Sequence, residues 1–180
     1  VSDIVARYKI RNTEVIDELL NILASSIGGF TNATKLANTF VSVKNEKVSR
    51  NTIANYIEYI CDSFLMEKAC RYDIKGKRYI ESPYKYYFTD CGLRNARLNF
   101  RQVEYTHLLE NVIYNELIAR GFSVDVGVVS KTCQENNKEA VRRNFEVDFV
   151  CNQGSKRYYI QSAYRMIDED KVKQEETSLR

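Results

Sequence analysis

Glu110 lies in a helix-like run, Glu146 and Asp148 lie in a strand-like run, and Gln161 follows in the strand-like stretch Tyr159-Ile-Gln161-Ser-Ala163. A helix carboxylate, a strand Asp and then a strand slot of the form x-[DEQ]-x-K make the skeleton of a metal-dependent nuclease core. Oxygen donors in that order suit a hard divalent ion such as Mg²⁺, and the lysine would help to activate water and hold the scissile phosphate. Here the slot reads Gln161-Ser162-Ala163, so ligands remain and the cation is missing. Arg165 and Arg142 are the candidates for a migrated cation, although a guanidinium stays protonated and is a poor proton carrier. Gln161 in place of Glu also removes a charge that would draw in Mg²⁺.

The elements that must position these residues follow from periodicity. Asn12 and Thr13 can cap a helix with Val15, Ile16, Leu19, Leu20, Leu23, Ala24 and Ile27 at 3.6-residue spacing, and Gly28-Gly29 ends it. A second helix follows Asn32. Ser49 caps a third, whose stripe Ile53, Tyr56, Ile57, Ile60, Cys61 and Phe64 leaves Arg50, Asn51, Asn55 and Tyr59 on the other side or its flank. Strand-like runs over 65–73 and 78–88 are joined by Ile74-Lys75-Gly76-Lys77, with Gly76 expected to take the positive φ of a tight turn. Three helices and a hairpin give the order of a winged helix-turn-helix, and Arg71, Lys75, Lys77 and Arg78 supply the charge of a wing on a DNA backbone. Asp90 caps a short helix over 91–97, and a longer helix over 103–120 closes at Gly121. Strands are expected over 122–129, 144–151 and 157–163. Strict alternation places Glu146 and Asp148 opposite Phe145, Val147 and Phe149.

At 180 residues and 44% hydrophobic, the chain can bury one medium core or two small ones. Residues 1–100 carry 15 Lys and Arg against 11 Asp and Glu, while residues 101–180 carry 12 against 13, so a polyanion meets the first half. Five cysteines without a C-x-x-C pair argue against a disulfide framework or a zinc ribbon and for reduced thiols. His107 is the single histidine, which excludes HExxH zinc chemistry. No apolar run approaches the ~18 residues of a membrane span. The expectation is a cytoplasmic protein without membrane partners. Val1 at one end and a polar, helix-like run at the other suggest a piece of a longer polypeptide, with a further strand expected after a helix that starts near Asp168.

Several strings coincide with a known family: Ser26-Ile-Gly-Gly-Phe-Thr-Asn32, Tyr84-Lys-Tyr-Tyr-Phe-Thr-Asp90-Cys-Gly-Leu-Arg-Asn-Ala96, Glu110-Asn-Val-Ile-Tyr-Asn-Glu-Leu117, Glu146-Val-Asp-Phe-Val150 and Tyr159-Ile-Gln-Ser-Ala163. Over nearly its whole length the chain resembles the C-terminal part of predicted prokaryotic AAA-type ATPases. There a P-loop module precedes a winged helix and a domain similar to the PD-(D/E)xK nuclease and Holliday-junction-resolvase fold. The resemblance implies an α+β chain: a winged-helix domain over 1–100 with an N-terminal connector helix, then a truncated restriction-endonuclease-like unit over 101–180. It implies that Glu110, Asp148 and Gln161 match the nuclease-like ligands, with Glu110 and Asp148 as metal candidates, and that Ala163 stands in the lysine position. This chain holds no G-x-x-x-x-G-K-[ST], so ATP belongs to the parent protein's own N-terminal module.

Three functions compete on these residues. The leading expectation is a non-catalytic DNA-binding or regulatory region, with Arg50, Asn51 and Asn55 approaching the major groove and Arg71, Lys75, Lys77 and Arg78 holding phosphates. It needs no cofactor and is compatible with a homo-oligomer. The alternative is a Mg²⁺-dependent DNA nuclease built on Glu110, Asp148 and Gln161. The third is a protein-interaction adaptor that docks on its own ATPase module. Against each stands a plainer reading: strand edges carry Lys and Arg to block edge pairing, and strand carboxylates often serve only a solvated face.

Overall fold

The computed structural model describes residues 1–133 and 141–163. A short helix that the periodicity did not announce, α1 (Ser2–Arg7), comes first, with no side-chain cap bond. It is followed by α2 (Thr13–Ser25), α3 (Ala33–Lys44) and α4 (Arg50–Asp62). The predicted caps close them: the side chains of Asn12, Asn32 and Ser49 accept from the backbone N–H of Val15, Lys35 and Thr52. Each satisfies one of the first-turn donors that a helix leaves unpaired. The inward stripes of the three helices meet in one core around Ile16, Leu19, Leu20, Phe40, Ile53 and Ile60.

A hairpin of β1 (Met66–Asp73) and β2 (Arg78–Phe88) follows, then α5 (Cys91–Arg97), α6 (Tyr105–Ala119), β3 (Ser123–Cys133), β4 (Val141–Gln153) and β5 (Lys156–Ile160). The five strands form a single mixed sheet in the order β2-β1-β3-β4-β5. β1 runs parallel to β3, from Arg71 beside Val126 to Asp73 beside Val128, and the other neighbours are antiparallel. The sheet therefore passes through both sides of the boundary expected near residue 100. The hairpin is a wall shared by two cores. Met66, Tyr86 and Phe88 face the helices. Ala69 and Tyr87 face a second core with Tyr114 and Leu117 of α6, Val124, Val126 and Phe149.

Three expectations change. The positive φ of the hairpin turn falls on Lys77 and not on Gly76. Gly76 is required instead by close approach: its N–H donates to Asp73 Oδ1, and a Cβ there would lie 2.4 Å from that carboxylate. The β3–β4 arms run longer than expected. β5 stops at Ile160, so Gln161 and Ala163 lie past its end, where side-chain hydrogen bonds to Asp148 replace the strand ladder. The helix expected near Asp168, the strand after it and Arg165 lie outside the described residues. Among the described residues no helix is long and apolar enough to cross a membrane.

α6 is fastened to the shared hairpin by Asn111, which is fully buried. Its Oδ1 accepts from Phe88 N–H at 2.9 Å and its Nδ2 donates to Phe88 C=O at 2.7 Å, and Asn115 donates to the same carbonyl at 3.0 Å. Asn111→Ala would leave the Phe88 N–H buried and unpaired, and should cost about 2–4 kcal/mol of stability. Asn115→Ala should cost less, because Asn111 still serves the carbonyl. Urea unfolding of the two variants beside the wild type checks both the size and the order.

Candidate functional site

The site sits where α6 crosses the sheet. Strict alternation would separate Asp148 from Phe149, yet both point toward α6. The β3–β4 register explains this: Asp125 pairs with Val150 and Gly127 with Val147, so two residues of β4 oppose one of β3. Such a bulge turns consecutive side chains to one face. Phe149 fills the core against Tyr87 and Tyr114, with ring centroids 6.2 and 6.3 Å away, while Asp148 and Glu146 reach the edge of that core. Glu110 meets them from α6. One carboxylate oxygen from each of Glu110, Glu146 and Asp148 lies within 4.8 Å of the others. Glu110 and Asp148 are 6% and 7% exposed, so Glu110 is not a helix-surface carboxylate.

A cation does stand among these carboxylates, and it comes from β2. Lys85 is 2% exposed. Its Nζ lies 2.7 Å from Glu110 Oε1 and contacts Glu146 Oε1. Burial alone would lower its pKa, but the carboxylates of Glu110 and Glu146 outweigh burial and hold it above the ordinary lysine value. Burial raises the Glu146 carboxyl against the pull of Lys85, and Glu110 and Asp148 raise it further. The Tyr87 hydroxyl, pushed well above its usual pKa by burial, donates to Glu110 Oε1 at 2.6 Å. Asp148 Oδ2 accepts from Ser162 N–H at 2.8 Å and from the Ser162 hydroxyl at 2.6 Å.

Of the sequence candidates, Glu110 and Asp148 come together as expected, and Glu146 joins them. Gln161 lies beside them with its Oε1 taking the Asp148 N–H at 3.2 Å. Lys85 was missed. The signal available was a lone lysine inside the aromatic strand Tyr84-Lys-Tyr-Tyr-Phe88, where a charged side chain in a buried run requires a partner. His107 stands one turn before Glu110, with its Nδ1 buried and without a partner. The loop between α2 and α3 closes over both: Gly28 has φ +75°, and a Cβ there would lie 2.7 Å from His107 Nδ1 and 3.2 Å from Glu110 Oε2.

The second set of candidates lies elsewhere. Arg50, Asn51 and Asn55 are exposed on α4, and Lys75, Lys77 and Arg78 are exposed at the hairpin tip. Arg71 is not at the tip. It is partly buried on β1, with its guanidinium 4.9 Å from the centre of the Phe30 ring. Burial raises the thiol of Cys61 to about 12 and that of Cys151 to about 11, so neither is a ready nucleophile.

A family described as Domain of unknown function (DUF8612) matches residues 1–104. The chain belongs to that family. It is also 31% identical over 166 residues to an uncharacterized protein of Haemophilus influenzae, covering 92% of this chain and 38% of the relative. An uncharacterized protein of Methanocaldococcus jannaschii is 33% identical over 172 residues, covering 96% of this chain and 36% of the relative. The chain thus spans well under half the length of either. No solved structure matches. The DUF8612 match ends just before α6, so it contains Lys85 and none of the three clustered carboxylates, whereas both relatives align over nearly the whole chain.

Three carboxylate oxygens within 4.8 Å of one another are the donor type that suits a hard divalent cation, and two of the three carboxylates engage Lys85. The ion network sets a pH test. Wild-type Lys85 has a folded pKa above its unfolded value, so its stabilisation is complete below the unfolded value and is lost as pH rises through the folded one. Lys85→Met removes both pulls that lower Glu146 and leaves buried Glu110 with only the Tyr87 hydroxyl, which should cost about 3 kcal/mol near neutral pH. With the Glu146 pKa then raised still further above its unfolded value, the variant should lose stability as pH climbs from the unfolded carboxyl value through the raised folded one. Denaturant midpoints from pH 4 to 8, in steps of about one unit, should show the Lys85→Met deficit widening with pH. A deficit independent of pH would mean that the ion network is not what holds the site.

Proposed function

We propose that this chain is a nucleic-acid-directed region of a longer protein, and that Glu110, Glu146, Asp148 and Lys85 hydrolyse phosphodiester bonds with a divalent ion. The observation that carries the reading is the buried Lys85 ammonium among three converging carboxylates. It supplies from β2 the charge whose absence from the Gln161-Ser162-Ala163 slot favoured a non-catalytic region. A divalent ion held by the three carboxylates would neutralise phosphate charge and acidify a water. Lys85 adds positive charge beside the phosphate. Tyr87 keeps Glu110 Oε1 in place, and Ser162 fixes Asp148 Oδ2 so that its other oxygen remains for the ion.

The three helices and the hairpin support a winged-helix role in binding, with Arg50, Asn51 and Asn55 toward a groove and Lys75, Lys77 and Arg78 on phosphates. The resemblance of the second half to PD-(D/E)xK nucleases supports the hydrolytic part. The greater length of both relatives leaves room for the ATPase module that the resemblance implies. A second reading, the non-catalytic DNA-binding or regulatory region, is favoured by one fact: Lys85 is saturated by two carboxylates and nearly inaccessible. In that reading the ammonium permanently replaces the metal.

Incubation with single-stranded, duplex and four-way-junction DNA in Mg²⁺ or Mn²⁺ decides between the two. Hydrolysis requires divalent-dependent cleavage that falls by ~10² to 10³ or more in Asp148→Ala. DNA binding that persists without cleavage in either metal would return the chain to the non-catalytic reading. Binding itself should weaken with salt at a log-log slope on the order of −3 to −4, and Lys75→Glu with Lys77→Glu should flatten that slope by about 2 in an anisotropy titration.

A further inference from the structure

We propose that Arg71 is a phosphate-binding residue of the carboxylate site and not of the hairpin tip, an inference that rests on the hydrolytic reading. Three observations converge on it. First, Arg71 Nε is buried with no hydrogen-bond partner. No hydrogen bond or ion pair engages its guanidinium among the described residues, so its terminal nitrogens are held only by the ring beneath them. A buried cationic donor without an acceptor is costly, and such groups persist where a ligand completes them. Lys85 shows the contrast: it is a buried cation with two carboxylate partners.

Second, the ring that carries Arg71 also carries Lys85. Phe30 has the Arg71 guanidinium carbon 4.9 Å from its centroid and the Lys85 Nζ 5.4 Å from it. Both cations lie near enough to the ring for a cation–π interaction. The ring is fixed by its neighbour, since Thr31 and Tyr84 exchange backbone hydrogen bonds of 2.9 Å in both directions. Phe30 thus touches two cations, one turned into the carboxylates and the other without a hydrogen-bond partner at Nε. Third, the strand geometry sets Arg71 on the α6 side. β1 pairs Ala69 with Lys85 and then, after an irregularity, Arg71 with Ile80, and Arg71 lies beside Val126 of β3. Ala69 and Val126 both belong to the core under α6.

The chemistry names the ligand. A guanidinium offers two parallel N–H donors to one phosphate, a geometry that an ammonium cannot match. Three carboxylates against Lys85 alone leave the site with two excess negative charges; Arg71, a divalent ion and one phosphodiester bring the sum to zero. Arg71 therefore binds a diester phosphate of the nucleic acid at or beside the bond to be cut, while the exposed tip lysines meet phosphates farther along the strand.

The test measures binding in EDTA, so that neither metal nor cleavage enters. Fluorescent single-stranded, duplex and junction DNA are titrated with wild type, Arg71→Ala, Arg71→Gln and Arg71→Lys at several salt concentrations, with thermal melts as the folding control. Arg71→Ala should weaken binding by about tenfold or more and reduce the salt slope by about 1. Arg71→Lys should keep the slope and still lose most of the affinity, because the two-pronged contact is gone. Should Arg71→Ala fail to fold, Arg71→Gln, which keeps the stem over Phe30, decides by the same two readouts. Unchanged affinity and slope in the folded variants overturn the proposal and make Arg71 a packing residue, as does wild-type protein that binds none of the three DNAs. Cleavage is scored separately in Mn²⁺. Arg71-dependent binding by a wild type that never cuts refutes hydrolysis and leaves the phosphate contact standing, whereas cutting by an Arg71→Gln protein of wild-type affinity refutes the contact alone.

Discussion

The Lys85 ion network is the constraint on which the rest of the structure depends. Removing an ammonium from water costs several kcal/mol, and attraction to one carboxylate rarely repays it. Here Glu110 and Glu146 both engage Nζ, and Tyr87 takes up the Glu110 oxygen nearest the lysine. The network therefore fixes the distances between three elements that are remote in sequence: β2, α6 and β4. Lys85 is the shared member: without it Glu110 keeps only the Tyr87 hydroxyl and Glu146 loses its ion pair, so the arrangement depends on the ammonium more than on either carboxylate.

That constraint acts through the β1–β2 hairpin. Alternate residues of β2 face different cores, with Tyr86 and Phe88 toward the helices and Lys85 and Tyr87 toward α6. The side chain of Asn111 then locks α6 onto the end of the same strand, and Arg94 ties α5 back to α2 through the Ala24 carbonyl at 2.9 Å. The α2–α3 loop completes the joint, since Gly28 lies against His107 and Glu110 and Phe30 lies under Lys85 and Arg71. The helices and the carboxylate site are consequently not two modules on a tether. The parallel pairing of β1 with β3 makes them neighbours in one sheet.

What was legible in the sequence was local. The caps at Asn12, Asn32, Ser49 and Asp90, the inward stripes and the hairpin arms follow from spacing and side-chain chemistry within a few residues. What was not legible depended on pairing between distant segments. The bulge that turns both Asp148 and Phe149 toward α6 exists only in register with β3, so alternation along β4 alone misassigned Phe149. Lys85 read as one cation among the fifteen of the first half, because its carboxylates lie in α6 and β4. Arg71 read as part of the tip's charge, since four basic residues within eight positions look like one patch until β1 buries the first of them. Gly76 was rightly singled out for the wrong physics: Asp73 demands its missing Cβ, and Lys77 takes the left-handed backbone.

Past the end of β5 the Gln161-Ser162-Ala163 stretch serves Asp148. A lysine two positions after Gln161 would have to project from a chain that has already left β5 at Ile160. That stretch has another task, because Ser162 gives its N–H and hydroxyl to Asp148 while Gln161 takes the Asp148 N–H. Two donors on one carboxylate oxygen fix its direction. Lys85 reaches Glu110 and Glu146 from β2, where its aromatic neighbours help to bury the four-carbon stem. Lys85 brings its charge on the same strand that begins at the exposed hairpin tip. Arg78 at the exposed tip and the Lys85 ammonium beside the carboxylates are therefore parts of one continuous strand.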